Sequence, residues 1–566
     1  MVFKIADNII SPLGRTSEQN YQAVKSGKSA LAPHSLPGLK ESVYASLFSP
    51  EDRDSLKVEG LSRFESLVYR SASRALEGVS GLFDVSGKDV VFVLGTTKGS
   101  IELLDCNAAE ENLLPGKSAQ RICSRLGITT TPIVVCNACI SGLSSIILAS
   151  RLLESGAFKF AVVCGADVLG RFIASGFQAL KTLSDEACRP FDIERFGMNL
   201  GEAAATVVLS AAEVEGKGWA IEAGAVRNDA HNPTAPSPKG DGAYLAISQV
   251  LEGFPAQRLA LVNAHGTSSL FMDQMESVAL ERAGLLDVPV NSLKGYFGHT
   301  LGAAGILETI ITMKAMEENL VLGTKGFQEL GVSSPISVSP KQVSACGKNS
   351  FVKTVSGFGG ANAAILATCD PDYSDTAIIL PVLRKTRRVK ISPSEVLIDG
   401  RAVSLPEGLS GKEILTFLYK EKVGNYPQFY KMDLLSRLGF VASELLLGDD
   451  RCAGTDSRAV IFFNSSSSLM TDRRYLETIA EDNYFPSPSL FVYTLPNIIT
   501  GEIAIRNKYN GETSFFILPE RDEKAMEKVL SAAFLDKKTS SAIAGWLDCR
   551  GENDFEADIY IVEKED

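Results

Sequence analysis

Thr131-Pro-Ile-Val-Val-Cys-Asn-Ala-Cys-Ile-Ser-Gly142 is the stretch on which the fold turns. A β-branched run ends in a cysteine, and Ser141, Gly142 and an Ala/Leu/Ile-rich helical pattern follow at once. This predicts a buried strand, a tight turn at Asn137-Ala-Cys-Ile140, and a helix whose positive end faces that turn. A thiol at Cys139 then has a lowered pKa and is available as a nucleophile. Small buried cysteines also serve as core packing, so the reading needs chemical partners elsewhere in the chain.

The chain has 566 residues, enough for about three to four domains. It is 45% hydrophobic and 22% charged, an ordinary globular composition. A net charge of −12 argues against a broad nucleic-acid-binding face. The N-terminus lacks the basic flank and apolar core of a secretory signal, and no apolar run reaches the length of a membrane span. The ten cysteines follow neither a disulfide framework nor a zinc spacing. A reducing, cytoplasmic setting without a bound metal is the expectation.

Residues 1 to 370 alternate short β-branched runs with longer helical patterns, the sign of α/β layering. Val90–Gly95, Ala161–Gly165, Ala260–Asn263 and Val288–Asn291 read as strands; Phe64–Glu77, Gly142–Glu154 and Gly305–Glu318 read as helices. Arg384-Lys-Thr-Arg-Arg-Val-Lys390 reads as part of a solvated basic linker over 371–391. Beyond it the sequence repeats itself. Leu435-Ser-Arg answers Leu61-Ser-Arg, Leu495-Pro496 answers Leu114-Pro115, and Ile503, Arg506 and Asp548 answer Ile122, Arg125 and Asp167. From Leu114 onward these pairs share one offset, which sets Glu520 at the position of Cys139. The second copy therefore keeps a scaffold and lacks the nucleophile.

Four histidines are present. His34 and His231 lie in polar, loop-like surroundings and read as surface or supporting residues. His265, in Val262-Asn-Ala-His-Gly-Thr-Ser-Ser269, follows a strand-like run. His299 lies in Asn291-Ser-Leu-Lys-Gly-Tyr-Phe-Gly-His-Thr-Leu-Gly-Ala-Ala-Gly305, a glycine-rich loop entering a helix. One such histidine is usually structural. Two, joined to a candidate thiolate, point to acyl transfer. Asp273 and Glu276 read as helix-start caps, and Gly95-Thr-Thr-Lys-Gly-Ser100 as a turn beside the cleft, without Walker spacing.

These motifs, with Cys188-Arg-Pro-Phe-Asp192, Gly201-Glu-Ala-Ala204 and Gly357-Phe-Gly-Gly-Ala-Asn362, resemble the elongating β-ketoacyl-acyl carrier protein synthases of the thiolase superfamily. The resemblance spans residues 1–370. Two departures are small: Ser268-Ser269 replaces the usual Gly-Thr or Ser-Thr, and Ala361 stands where threonine is usual. The resemblance implies a thiolase-like α/β fold, layered αβαβα, with halves about 1–215 and 216–370. It implies Cys139, His265 and His299 as catalytic residues, and Lys294, Glu308 and Phe358 as supporting ones. Thr267, Ser269, Thr300 and Phe358 would meet the substrate. The implied reaction is decarboxylative Claisen condensation of acyl and malonyl thioesters. The partner is an acyl carrier protein that brings its own phosphopantetheine; no cofactor resides in the enzyme.

Residues 392–566 resemble the N-terminal half of the same family without its cysteine, like a shortened chain-length factor. In ketosynthase dimers the corresponding segment lines the partner's acyl tunnel, which points to Ile498 and Ile503 as pocket-shaping residues. The module then forms an intramolecular pseudodimer with the first. The alternative is a homodimer with the tail as outer decoration. A non-condensing scaffold or malonyl decarboxylase subunit is the competing function.

Overall fold

The computed structural model describes residues 1–565 except 40, 107, 216–217, 372–379, 451–455 and 481–482. Fifteen of its strands form three five-stranded units. The first unit is β1 (Val2–Ile10), β2 (Val90–Gly95), β3 (Ile133–Val135), β4 (Phe160–Asp167) and β5 (Ala203–Ser210). The second is β6 (Trp219–Asn228), β7 (Leu259–Asn263), β8 (Pro289–Asn291), β9 (Ser350–Gly357) and β10 (Ala361–Thr368). The third is β11 (Leu383–Ile391), β12 (Arg458–Asn464), β13 (Thr513–Ile517), β14 (Ser541–Gly551) and β15 (Asp554–Lys564).

The units share one topology. In the first the order is β3–β2–β4–β5–β1, with the two inner pairs of β2 parallel and the pairs of β5 antiparallel. The second runs β8–β7–β9–β10–β6 and the third β13–β12–β14–β15–β11, with the same directions. Near-continuous apolar strands such as Val90-Val-Phe-Val-Leu-Gly95 suit this arrangement, because helices cover both faces.

Two buried helices meet at the centre: α1 (Ser141–Glu154) from the first unit and α2 (Ala304–Glu317) from the second. Glycine permits their approach. A Cβ on Gly142 would lie 2.3 Å from the Gly302 carbonyl oxygen. Asp167, at the end of β4, accepts from Gly302 N (2.7 Å) and Thr96 Oγ1 (2.8 Å), which locks the His299 loop to the first unit. The repeated Asp548 instead takes the hydroxyls of Ser465 (2.7 Å) and Ser466.

The third unit packs on the first across β3 and β13, which pair antiparallel through Val135–Phe516 and Val134–Ile517. Two buried ion pairs also hold the third unit, Arg151–Glu512 (2.6 Å) to the first unit and Arg227–Asp536 (2.8 Å) to the second. The tail is therefore not an outer decoration: it occupies the edge of β3.

The basic run is corrected. Residues 372–379 of the expected linker lie outside the described residues, but Arg384–Lys390 belong to strand β11, paired along β15. Arg388 and Asp558 join at 2.7 Å, and Lys385 lies over the Tyr560 ring. The Leu-Ser-Arg repeat is also out of register. Ser62 caps the helix Arg63–Glu77, whereas Asp433 caps Leu434–Leu447, so the second tripeptide lies about one turn inside its helix. The later register agrees with the helix ends: Gly127 and Lys508 are both left-handed caps, at φ 79° and 58°.

Candidate active site

Cys139 sits in a short 3-10 turn between β3 and α1. Ala138 before it holds φ +47°, a left-handed conformation that costs a non-glycine residue about 1–3 kcal/mol. The surroundings fix it. Ser141 Oγ donates to the Ala138 carbonyl (2.6 Å) and accepts from Asn137 N (2.9 Å). From the second module, Phe515 N donates to Asn137 Oδ1 (2.7 Å) and the Phe515 carbonyl accepts from Cys136 N (3.0 Å).

The expected lowered thiol pKa is corrected. Burial pushes Cys139 up to about 12, the Lys294 charge acts in the opposite sense, and Asp167 raises it further. Desolvation of the anion outweighs the attraction of the nearby cation.

His265 follows β7, and its loop is shaped by two carboxylates. Glu276 accepts from His265 N (2.7 Å) and Gly266 N (2.8 Å); Asp273 accepts from Thr267 N (2.8 Å) and Phe191 N (2.7 Å). Capping alone does not describe these two residues, because their acceptors hold the loop ahead of the helix. His299 is held by its backbone, donating to the Asn199 carbonyl at 2.7 Å. The two imidazoles stand 5.1 Å apart, nearly perpendicular at 83°. Burial, then the Lys294 ammonium, holds both well below the ordinary histidine pKa, so both are neutral. His265 Nδ1 and both ring nitrogens of His299 are buried without a hydrogen-bond partner among the described residues. Such groups are costly to leave unpaired; a bound carbonyl accepts from the N–H of a neutral ring, and the ring's other nitrogen calls for a donor.

Behind the histidines, Glu308 on α2 receives Lys294 and Lys353, each at 2.5 Å. Burial would raise the Glu308 carboxyl, but the two ammonium groups hold it below the usual range.

One cavity is lined by Cys139, His265, His299, Thr267, Ser269 and Phe358. The Thr267 and Ser269 hydroxyls lie 3.1 Å apart on its wall. A second, apolar chamber is lined by Cys139, Phe358, Ile173, Phe177, Phe491 and Leu495. Cys139 and Phe358 face both, so Phe358 stands between an entrance and a chamber. The Gly357 backbone approaches Cys139 closely: a Cβ there would lie 3.1 Å from Cys139 N.

Residues 46–214 match the beta-ketoacyl synthase N-terminal domain and residues 220–328 its C-terminal domain. The chain belongs to the β-ketoacyl synthase family. The 3-oxoacyl-[acyl-carrier-protein] synthase 2 of Vibrio cholerae is 28% identical over 408 residues, covering 63% of this chain and 96% of that protein. The synthase 2 of Rhizobium meliloti is 33% identical over 255 residues, 41% of this chain and 59% of that protein. A solved structure described as PfaC Keto synthase-Chain length factor superposes with a TM-score of 0.77 at 14% identity, covering 100% of this chain and 78% of that one. That likeness speaks for the fold over the whole length.

In this β-ketoacyl synthase the expected Cys139, His265, His299, Thr267, Ser269 and Phe358 share one cavity, with Lys294 and Glu308 paired behind it. Thr300 is buried with its hydroxyl unpartnered among the described residues, and it does not line that cavity. Ile498 and Ile503 are corrected: both are fully packed in the apolar core and line neither cavity. The second module reaches the chamber through Phe491, Thr494 and Leu495 instead. Glu520 is exposed at the surface, so it is no mimic of a buried nucleophile. His231 is exposed and His34 half-buried, and neither lines a cavity with Cys139. The reading from sequence missed Lys353, Phe491 and the junction contacts of Asn137. Among the described residues no helix is long and apolar enough to cross a membrane.

Proposed function

We propose that this chain condenses an acyl group held on Cys139 with malonyl-acyl carrier protein, giving a 3-oxoacyl-acyl carrier protein. The observation that carries the reading is the neutral, unpartnered His265–His299 pair on one cavity wall with Cys139.

Cys139 Sγ attacks the incoming thioester carbonyl. The acyl group passes to sulfur, and the carrier's phosphopantetheine thiol leaves with the proton. The N–H groups of Cys139 and Phe358 are suited to hold the oxyanion, because the Gly357–Phe358 backbone lies against the nucleophile. Malonyl thioester then enters along Thr267 and Ser269. Its C–CO2 bond breaks, carbon dioxide leaves, and the electron pair forms an enolate. Neutral His265 and His299 donate to the enolate oxygen in a desolvated site, where such bonds are strong. The enolate carbon bonds to the acyl carbonyl, the bond to Cys139 breaks, and the sulfur takes a proton from solvent. Neutral imidazoles suffice, since each supplies one N–H donor to the enolate oxygen.

The second module bounds the chamber and so sets which acyl groups fit, as a fused partner without a nucleophile. Intact-protein mass spectrometry tests the whole reading: an acyl-carrier-protein panel is added, then malonyl-carrier protein, to the unaltered chain and Cys139→Ala. An acyl adduct on Cys139 that discharges as a product two carbons longer is the expected result. Malonyl decarboxylation with no adduct at any acyl length would establish the non-condensing subunit instead.

A further inference from the structure

Lys353 lies in the middle of β9, fully buried, and none of the steps above uses it. Its Nζ donates to Glu308 Oε2 at 2.5 Å and to the Ala264 and Asn263 carbonyls at 3.2 and 3.4 Å. Those carbonyls belong to the two residues directly before His265. Lys294 reaches the other oxygen of Glu308, also at 2.5 Å, from the short helix Lys294–Phe297 that leads into His299. One carboxylate thus joins two lysines, and each lysine is fastened to the loop of a different histidine. Two ammonium groups against one carboxylate leave an excess positive charge behind the imidazoles. Glu276, which binds His265 N and Thr354 Oγ1, is the nearby acidic group on the adjoining helix. A second ammonium buried against a carboxylate that already has a partner is costly to desolvate, so such a lysine is not a neutral packing choice.

We propose that Lys353 is a positioning residue for decarboxylation: through Glu308 and the Asn263–Ala264 carbonyls it holds His265 in register with His299 and backs the enolate with positive charge. The inference rests on the condensing function proposed above. It assigns Lys353 no part in loading Cys139, because its contacts run to the His265 loop and to Glu308.

The test separates the two half-reactions in the full-length chain. Acylation of Cys139 is followed by intact mass, and malonyl-carrier-protein decarboxylation by carbon dioxide release. Lys353→Met is expected to load acyl groups within about two-fold of the unaltered chain while the kcat of decarboxylation falls by about ten-fold or more, less than deletion of a direct oxyanion donor. KM for the malonyl carrier stays within about two-fold, because the lysine does not touch the carrier arm. Lys353→Arg keeps the charge and recovers most of the rate. Lys353→Gln keeps a donor for the two carbonyls without the charge, and serves if the Met variant does not fold; it too is expected to lose decarboxylation selectively. Equal loss of both half-reactions, unchanged decarboxylation, or an Arg variant no better than Met would each overturn the proposal. If the unaltered chain neither loads nor decarboxylates, the condensing function itself fails, an outcome distinct from a failure confined to the Lys353 variants.

Discussion

Asn137 beside Cys139 accepts a hydrogen bond from the backbone N–H of Phe515 at 2.7 Å, so a strand of the second module holds the Cys139 turn of the first. The contact is buried and spans the junction where β3 pairs with β13. A left-handed alanine next to the nucleophile persists only where its surroundings over-determine it, and half of those surroundings come from the second module.

The first consequence is oligomeric state. Since β13 already occupies the edge of β3, the chain is expected to run as a single 60.7 kDa particle by light scattering. A particle of twice that mass would show association through another face.

Acyl selectivity should move with Phe491. Its ring packs against Phe177 at 5.4 Å, over the space that a Gly176 side chain would need. Phe491→Ala opens the chamber and is expected to shift loading of Cys139 toward longer acyl groups in a competition between carrier-bound chains. The exchange also costs about 3–5 kcal/mol of stability, as for other buried aromatic truncations. Unchanged chain preference in a folded variant would remove the second module from substrate selection.

The chamber also borders Lys98, which pairs with Asp472 of the second module at 2.5 Å and contacts Ser468 Oγ at 3.1 Å, all buried. Burial works to raise the Asp472 carboxyl, and the Lys98 charge opposes it. Lys98→Met or Asp472→Leu alone should each cost about 3–5 kcal/mol in urea unfolding, because each strands a buried charge. The double change should cost less than the sum of the two, a coupling that a double-mutant cycle reads directly.

Histidine protonation should not limit the reaction near neutrality. Both imidazoles are held below their ordinary pKa by burial and the Lys294 charge, and protonation sets in only as the pH falls through that lowered value. Burial lowers Lys353 to about 8, so any change above pH 7 belongs to it; no loss of decarboxylation is expected around pH 6.5, about the ordinary histidine value. A loss of rate centred at that value would contradict neutral, desolvated histidines.

The free thiol offers a separate measurement. With Cys139 pushed up to about 12, alkylation by iodoacetamide in the ligand-free enzyme should keep rising with pH through 9, where an acidified thiol would have reached its plateau. The Cys139→Ala chain supplies the background.

Cys139, His265, His299 and the Lys294–Glu308 pair were legible because each lies on a small-residue loop at a strand or helix end, in a motif with local spacing. Lys353 was not. A lone lysine in Ser350-Phe-Val-Lys-Thr-Val-Ser-Gly357 reads as the solvent side of a strand, and only the placement of β9 between β7 and β10 turns that side inward. The basic run read as a linker because Asp558, which pairs with Arg388, lies far along the chain. Ile498 and Ile503 were chosen from the matching segment, but the short helix Pro488–Tyr493 and the residues after it present Phe491, Thr494 and Leu495 to the chamber.

By itself the sequence determined the layered α/β fold, the duplication and the three candidate side chains of the site, because hydrophobic period, turn chemistry and motif spacing are local properties. Only the tertiary structure decided which faces of the second module meet the first, that Glu308 serves two lysines, and that burial raises the Cys139 pKa. These are long-range effects: they depend on what packs against a group and on how much water that packing removes, and neither quantity is written in the neighbouring residues.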